Sequence, residues 1–446
     1  MAFTKILPAG ISTTGTVTLE RLETTNSIVS LGSTNQLYIN TDTPTVRPTL
    51  DLNFERDQRL DSKITFSRDS TATYLGSDGL IKTAQPNIPR FEFDTDGNCL
   101  GLLIEESRTN LVTYSENFNV SFWDKLYGTT IVPNDTISPD GSQTATRVYQ
   151  SGTTNNGFLV KYTGGGLSVT TGQTYTLSFF TKKVEVGGLD RVQLSFDVSG
   201  QGSYPIGGNI WFNFSDPNSF LSNSGAFYEE LSNGWYRIGL TRTATLDGTI
   251  EYGLTIDDSN SVGVYVWGIQ LELGSFATSY IPTSGSTVTR SADIAQITGT
   301  NFTDFYNQSE STIYFESSIS PLTNSKYFTF YGYDSGGTEL IESASESVPG
   351  ANIFTYSDST VHSNISVTNA SFTTLKYAAG IEQNNVNLAV NGTLGTTNTS
   401  AIQPDALSKL IIGNYSSGNY YINTTIKRLT YYPERLSNDQ LQNLTS

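Results

Sequence analysis

The sequence holds one cysteine, Cys99, one histidine, His362, and only 15% charged residues. Each scarcity excludes something. A single cysteine rules out an intrachain disulfide and a four-cysteine zinc site. A single histidine leaves no HExxH motif and no multi-histidine metal cluster, and a Ser-His-Asp triad would have to use His362. That residue lies in DSTVHSNIS, a polar run that reads as a surface strand. Neither GxSxG nor a P-loop pattern occurs, and the glycine run Gly164–Gly166 lacks a strand–helix context, so it reads as a turn. No run of ~18 apolar residues is present, so no helical membrane span is expected. The opening MAFTKILPAG lacks the basic, apolar, small-residue order of an export signal.

Positive charge is also short. Twenty-five Lys and Arg face 42 Asp and Glu, a net charge of −17. Such a surface repels nucleic-acid phosphate and anionic membranes. Apolar residues reach 36%, below the ~45–50% usual for globular chains. Aromatics make up 12%, so Tyr and Phe must carry much of the burial. Ser, Thr, Asn and Gly fill the remainder, a mixture that suits strands and turns better than long helices. At 446 residues, the prior is about three domains.

Four segments follow along the chain. Residues 1–49 read as an attachment or oligomerisation arm with short strand-like pieces at Val17–Leu19, Ile28–Leu31 and Leu37–Ile39. Residues 50–110 carry hairpin signals at Ser77–Gly79 and at Asp94–Asn98, because Asp-Gly pairs supply the positive φ that tight turns need. This region is expected to pack on the next domain. Residues 111–293 hold YTLSFFTKK, RVQLSFDVS, IWFNFS, WYRIGLTRTAT, TIEYGLTIDD and VGVYVWGIQLEL, separated by Gly, Asp and Asn. Regular short strands with such punctuation predict an antiparallel sandwich. Simple alternation through the last run puts Val262, Val264 and Val266 on one face. Tyr265, Trp267, Ile269, Leu271 and Leu273 fall on the other. Gly274, Tyr280 and Pro282 then read as the exit from the sandwich. Residues 294–446 predict a second sandwich, closed by one short helix with Ser437 and Gln440 as a capping box and Leu441 and Leu444 on its apolar face. The fold class expected is therefore all-β: an arm, two antiparallel β-sandwiches of jelly-roll type and one short C-terminal helix.

Several stretches resemble a class of bacteriophage tail-fibre and virion-surface proteins. They are GLLIEESRTNLVTYSENF (Gly101–Phe118), SPDGSQTATRV (Ser138–Val148), NGWYRI (Asn233–Ile238) and VWGIQLELGSFATSYIPTSGSTVTRSAD (Val266–Asp293). In that class they bracket a jelly-roll like a carbohydrate-binding module, and FSRDSTATYLGSDGLIKTAQPNIPRFEF (Phe66–Phe93) precedes it. LAVNGTL, LIIGN and IKRLTYYPERLSNDQLQNL resemble a laminin-G or concanavalin-A-like sandwich. The resemblance implies a virion protein, made in the host cytoplasm without a signal peptide. It implies a tail fibre or receptor-binding adhesin for host surface polysaccharide, docked on other virion proteins through residues 1–49. A head fibre or capsid decoration protein is the alternative, and a polysaccharide-degrading spike is a weaker one. A homotrimer is implied too, to cover the Val264 side of the last jelly-roll strand. Jelly-rolls of this type often carry a structural Ca2+, for which no ligand set can be picked.

Sugar binding needs aromatic faces and polar groups for hydroxyls. Tyr204, Trp211 and Tyr228 are the candidate carbohydrate-binding residues, whereas Trp235 and Trp267 read as core. Asp94, Asp96, Asn98 and Glu105 fit an EF-hand frame in part, but Cys99 stands where glycine is required, so a hairpin turn is the better reading. With 42 acidic residues, paired carboxylates carry no signal. No stacked short repeats suggest a β-helix. The expectation from these absences is a protein that is not an enzyme.

Overall fold

The computed structural model describes residues 22–24, 27–31, 37–39, 44, 46–151, 157–161, 166–196, 208–256, 262–319, 325–333, 338–344, 350–357, 360–368, 374–404, 407–415 and 420–446. The molecule is built from antiparallel sheets. In the arm, Leu22–Thr24, Ser27–Leu31 and Leu37–Ile39 pair as a three-stranded meander. Val17 and Leu19 lie outside the described residues.

The first sandwich faces a five-stranded sheet against a six-stranded one. The five-stranded sheet runs in the order Asp124–Leu126, Gly157–Lys161, Tyr252–Ile256, Arg191–Phe196, Gly208–Asn213. The six-stranded sheet runs Thr129–Thr136, Ala145–Gln150, Val264–Leu273, Thr174–Lys183, Trp235–Thr243, Ala226–Glu230. Alternate residues of both interdigitate, among them Leu194, Phe212 and Leu254 from one sheet and Leu177, Ile238 and Val266 from the other.

Strand Val264–Leu273 departs from simple alternation. Ser178 pairs with Gln270 and Phe180 with Trp267, so Gly268 and Ile269 together stand opposite Phe179. This is a β-bulge, with Gly268 at φ +62°. The extra residue resets the period. Val264 and Val266 face the core before it, and Ile269 and Leu271 face the same core after it. The split that placed Ile269 and Leu271 opposite the valines is thereby corrected. The Val264 side is covered by the chain's own second sheet, so it supplies no reason for a trimer.

The second sandwich is larger. Its seven-stranded sheet ends in Leu407–Ile412, Ile294–Thr298 and Thr65–Ser67. Its eight-stranded sheet centres on Glu310–Ser318 and Thr424–Tyr432. One edge of Thr424–Tyr432 is shared end to end by two early strands. Leu50–Asn53 pairs along Arg428–Tyr431, and Cys99–Ile104 pairs along Thr424–Ile426. Arg90–Phe93 adds outside Cys99–Ile104.

Residues 50–110 are thus not a separate region resting on the following domain. Their strands complete the C-terminal sandwich, and Leu50, Leu52, Leu102 and Ile104 join its core. The physical reason is area. Two short hairpins cannot bury those side chains alone, whereas the open edge of Thr424–Tyr432 can. The hairpin Ala72–Leu75/Ile81–Ala84 turns toward the first sandwich, where Leu75 and Ile81 pack on Trp235, Trp267 and Tyr280. The organisation is nested. Arg108–Asn110 pairs with Val288–Arg290 as a two-stranded stem, and the first sandwich hangs from that stem as an insertion in the second.

The C-terminal helix is present at Asn438–Thr445 with the capping box of Ser437 and Gln440 formed in both directions. Leu441 packs with Tyr314, Ala378, Ala389, Tyr432 and Leu436 on the outer face of the eight-stranded sheet.

Candidate functional site

The stem brings together the stretches Ile104–Asn110 and Tyr280–Asp293, which the sequence separates by about 170 residues. Asn110 donates from Nδ2 to the Ile281 carbonyl at 2.8 Å. The Tyr280 hydroxyl lies 2.8 Å from Ser115 Oγ and 2.9 Å from Glu116 Oε1. After the bulge, Gln270 and Glu272 point away from the core, yet both are buried. They hold the exit stretch. The Ile281 amide donates to Gln270 Oε1 at 2.6 Å, and the Thr278 amide and hydroxyl donate to Glu272. Gly274 makes the bend at φ +147°, and Tyr280 packs its ring 4.7 Å from that of Trp267.

Beside the stem lies a buried ionic network. Arg90 donates to Glu105 at 2.7 Å and to Asp293 at 2.5 Å. Arg68 donates to the other oxygen of Asp293 at 3.0 Å. Arg290 stands 3.5 Å from Glu105. Ser279 closes the set, its amide and hydroxyl donating to Glu105 at 2.8 and 2.7 Å. Burial alone would raise the Glu105 carboxyl. Arg290, Arg90 and Ser279 outweigh it and hold the carboxyl down at about 2.

A cleft of about 470 Å³ opens against this network, between the two sandwiches and the 72–84 hairpin. Its walls include Thr73, Leu75, Phe93, Leu103, Leu231 and Tyr280. Polar groups converge on it: Glu92, Glu105, Arg237, Ser279 and Asn423, with Glu229 and Glu230 exposed nearby. Glu92 accepts from the Leu75 amide through Oε1 at 3.1 Å, and its Oε2 has no partner among the described residues. Burial pushes this carboxyl up to about 8, so it is mostly uncharged at neutral pH. Volume, mixed lining and a perturbed carboxyl are together the usual marks of a ligand site.

The structure separates the residues singled out for sugar binding. Trp211 alternates with the core residues Ile210 and Phe212, so it lies on the outer face of the five-stranded sheet. The Arg191 guanidinium sits 4.5 Å from its ring centroid. Tyr228 belongs to the opposite sheet, where its ring packs toward Phe212 at 5.9 Å and its hydroxyl donates to Asn218 at 2.8 Å. Tyr204 lies outside the described residues. Neither Trp211 nor Tyr228 lines the cleft.

Asp94 forms a turn by accepting from the Asp96 and Asn98 amides, and Glu105 is committed to the ionic network, so the partial EF-hand frame is a hairpin. Among the described residues no group of three or more His, Cys, Asp or Glu could hold a metal ion. Glu92 and Arg237 were missed by the sequence reading. Both share a strand face with a buried neighbour two positions back, Arg90 and Trp235, and that spacing was the available signal.

No family model matches the sequence, and no curated protein does. Solved structures similar in fold include the Trypanosoma rangeli sialidase in complex with the inhibitor DANA. That match has 12% identity and a TM-score of 0.27, and it covers 34% of this chain and 26% of the sialidase. The chain thus spans about a quarter of the sialidase's length. Domain 4 of AbnA, a GH43 extracellular arabinanase from Geobacillus stearothermophilus in complex with arabinotriose, matches at 12% identity and TM-score 0.27. It covers 38% of this chain and 82% of that domain. Mouse laminin alpha1 domains LG4-5 match at 9% identity and TM-score 0.21, over 80% of this chain and 95% of that one. The expectation that the chain is not an enzyme is withdrawn, because the structures similar in fold include a sialidase and a domain of an arabinanase; at these identities the likeness is one of fold and assigns no activity.

Proposed function

We propose that the protein binds a glycan in the cleft between its two sandwiches. We propose further that it displays that cleft on a bacteriophage particle, as a tail fibre or receptor-binding adhesin for host surface polysaccharide. Residues 1–49 are its attachment to other virion proteins in this reading. The cleft itself carries the first part. Its volume of about 470 Å³ falls within the ~300–1,000 Å³ of small-molecule sites. It joins apolar walls to hydroxyl, amide, carboxyl and guanidinium groups, the mixture that a polyhydroxylated ring needs. The second part is supported by the stretches Gly101–Phe118 and Val266–Asp293, which resemble fibre proteins and which meet at the stem.

Two variants separate the cleft from the outer sheet face. Ala277→Trp, at a half-buried cleft position, should abolish binding on a glycan array while leaving the melting temperature close to wild type. Trp211→Ala should keep it. The opposite pattern would move the site to the five-stranded sheet, and no binding by wild type would reject the glycan reading. Release of reducing ends during the same incubations reports turnover. Labelled antibody against residues 294–446 on intact phage, decorating neither tail nor head, would reject the virion assignment.

A further inference from the structure

The buried arginines of the described residues fall into two kinds. Arg68 and Arg90 pair with Asp293, Arg90 and Arg290 with Glu105, and Arg108 with Glu106. Arg237 is buried as deeply, with 6% of its surface exposed. Its partners are neutral. Nη2 donates to the Thr278 carbonyl at 2.7 Å and to Ser178 Oγ at 3.3 Å, and the guanidinium lies 5.5 Å from the Phe180 ring centroid. Nε has no partner, and no carboxylate among the described residues stands within ion-pairing distance. A buried guanidinium without a counter-charge is a costly arrangement. Arg237 lines the cleft, and among the described lining residues it is the one cation.

We infer that the sugar taken by the cleft carries a carboxylate and that Arg237 holds it. This rests on the cleft being the glycan site. A guanidinium's planar fork of N–H donors matches a carboxylate better than any neutral hydroxyl does. Five described acids line the cleft beside Arg237: Glu229 and Glu230 are exposed, Asp94 is half-buried and accepts from the Asn98 amide, and the two deeper ones, Glu92 and Glu105, do not cancel the attraction. Glu105 is already neutralised by Arg90 and Arg290. The Glu92 carboxyl is raised by burial, and the groups that act on it are Leu75, Arg90, Glu105 and Glu229. Glu229 is the cross-strand neighbour of Arg237, but it is exposed and does not bond to it. Its charge acts from solvent, where screening is strong. Glu229 therefore opposes an acidic sugar weakly, and its removal should strengthen binding.

The test uses the full chain and matched sugars. Oligosaccharides ending in hexuronic or nonulosonic acid are compared by calorimetry at pH 7 with the same oligosaccharides after reduction of the carboxyl to an alcohol. At least one acidic member should bind about tenfold or more tighter than its reduced twin, about 1.4 kcal/mol. Arg237→Gln should bring the acidic sugar to the level of the reduced one. Because that variant lies in a buried position and its fold must be checked by melting, Glu229→Gln provides a second reading at the surface. It should tighten the acidic sugar roughly two- to fivefold, through loss of a screened like charge, and leave the reduced twin unchanged. Equal affinity within every wild-type pair, or preference for the reduced twin, overturns the inference while leaving a glycan site intact. Absence of binding by both members overturns it together with the glycan reading.

Discussion

Arg90 and Asp293 stand 203 residues apart in sequence, yet a guanidinium N–H of one donates to a carboxylate oxygen of the other at 2.5 Å, with both side chains excluded from solvent. The contact ties a strand of the large sandwich to the last residue of the jelly-roll exit. Asp293 also receives Arg68 and the Glu105 amide. Asp293→Asn should therefore cost about 3–5 kcal/mol in urea unfolding, the range for breaking a buried pair on one side. Asp78→Asn, which removes the exposed pair with Lys82, should leave stability nearly unchanged, because solvent screens that pair. Equal effects at the two sites would show that the network is not structural.

The same network sets an acid limit. Glu105 is held at about 2 in the folded protein against an ordinary 4.5. A depressed carboxyl stabilises the fold above its unfolded value and loses that contribution as pH falls toward the folded one. Stability should thus drop between about pH 4.5 and 2. Urea midpoints at pH 7, 4.5 and 2.5 read it. Glu105→Gln should start lower at pH 7 and show a shallower fall across that window.

Much of the fold is legible from local chemistry. The Asp-Gly pairs at Asp78–Gly79 and Asp96–Gly97 do turn hairpins, with both glycines at positive φ. Ser437 and Gln440 do cap a helix. The nesting is not legible. Leu52 pairs with Leu429, and Leu103 with Thr425. Such a pairing leaves no mark near either strand, because any open edge could accept either sequence. The cleft inherits that difficulty, since Leu103, Arg237 and Asn423 meet only after nesting. The bulge is an intermediate case. A glycine inside a strand pattern is a bulge signal, and Gly268 carried it. Unbroken alternation read across that glycine put Ile269 and Leu271 on the wrong face.

Gly268 gives the third prediction. A Cβ there would come within 2.9 Å of Phe180 Cδ2 and 3.1 Å of Tyr280 Cε2, at φ +62°. Both rings belong to the cluster under the 72–84 hairpin. Gly268→Ala should destabilise by about 1–3 kcal/mol, combining left-handed strain with displaced rings. Gly172→Ala, also at positive φ but with nothing within 4 Å, isolates the strain. The difference between the two variants in chemical denaturation measures the packing part.

The C-terminal helix offers a local test. Ser437 Oγ accepts from the Gln440 amide, and Gln440 Oε1 accepts from the Ser437 amide. Ser437→Ala should cost ~1 kcal/mol, as for other lost caps. Hydrogen exchange should speed up in Asn438–Thr445 and remain at wild-type rates in the Ile104–Asn110 stem, which lies outside the cluster of Tyr314, Ala378, Ala389, Tyr432 and Leu436 that Leu441 packs on.

Glu92 behaves oppositely to Glu105. Its carboxyl is raised to about 8 by burial, against an ordinary 4.5. A group with a raised folded value contributes stability that is fully present below the unfolded value and lost as pH climbs through the folded one. From this group alone, stability should decline from about pH 4.5 to about 8. Arg90, which favours the charged form, and Glu105 and Glu229, which oppose it, are the charges acting there. Glu92→Gln keeps the shape and removes the titration. The stability of the variant relative to wild type should therefore rise steadily between pH 5 and 9. A flat difference across that range would mean that Glu92 is ionised and solvated, and that the cleft is wetter than its walls imply.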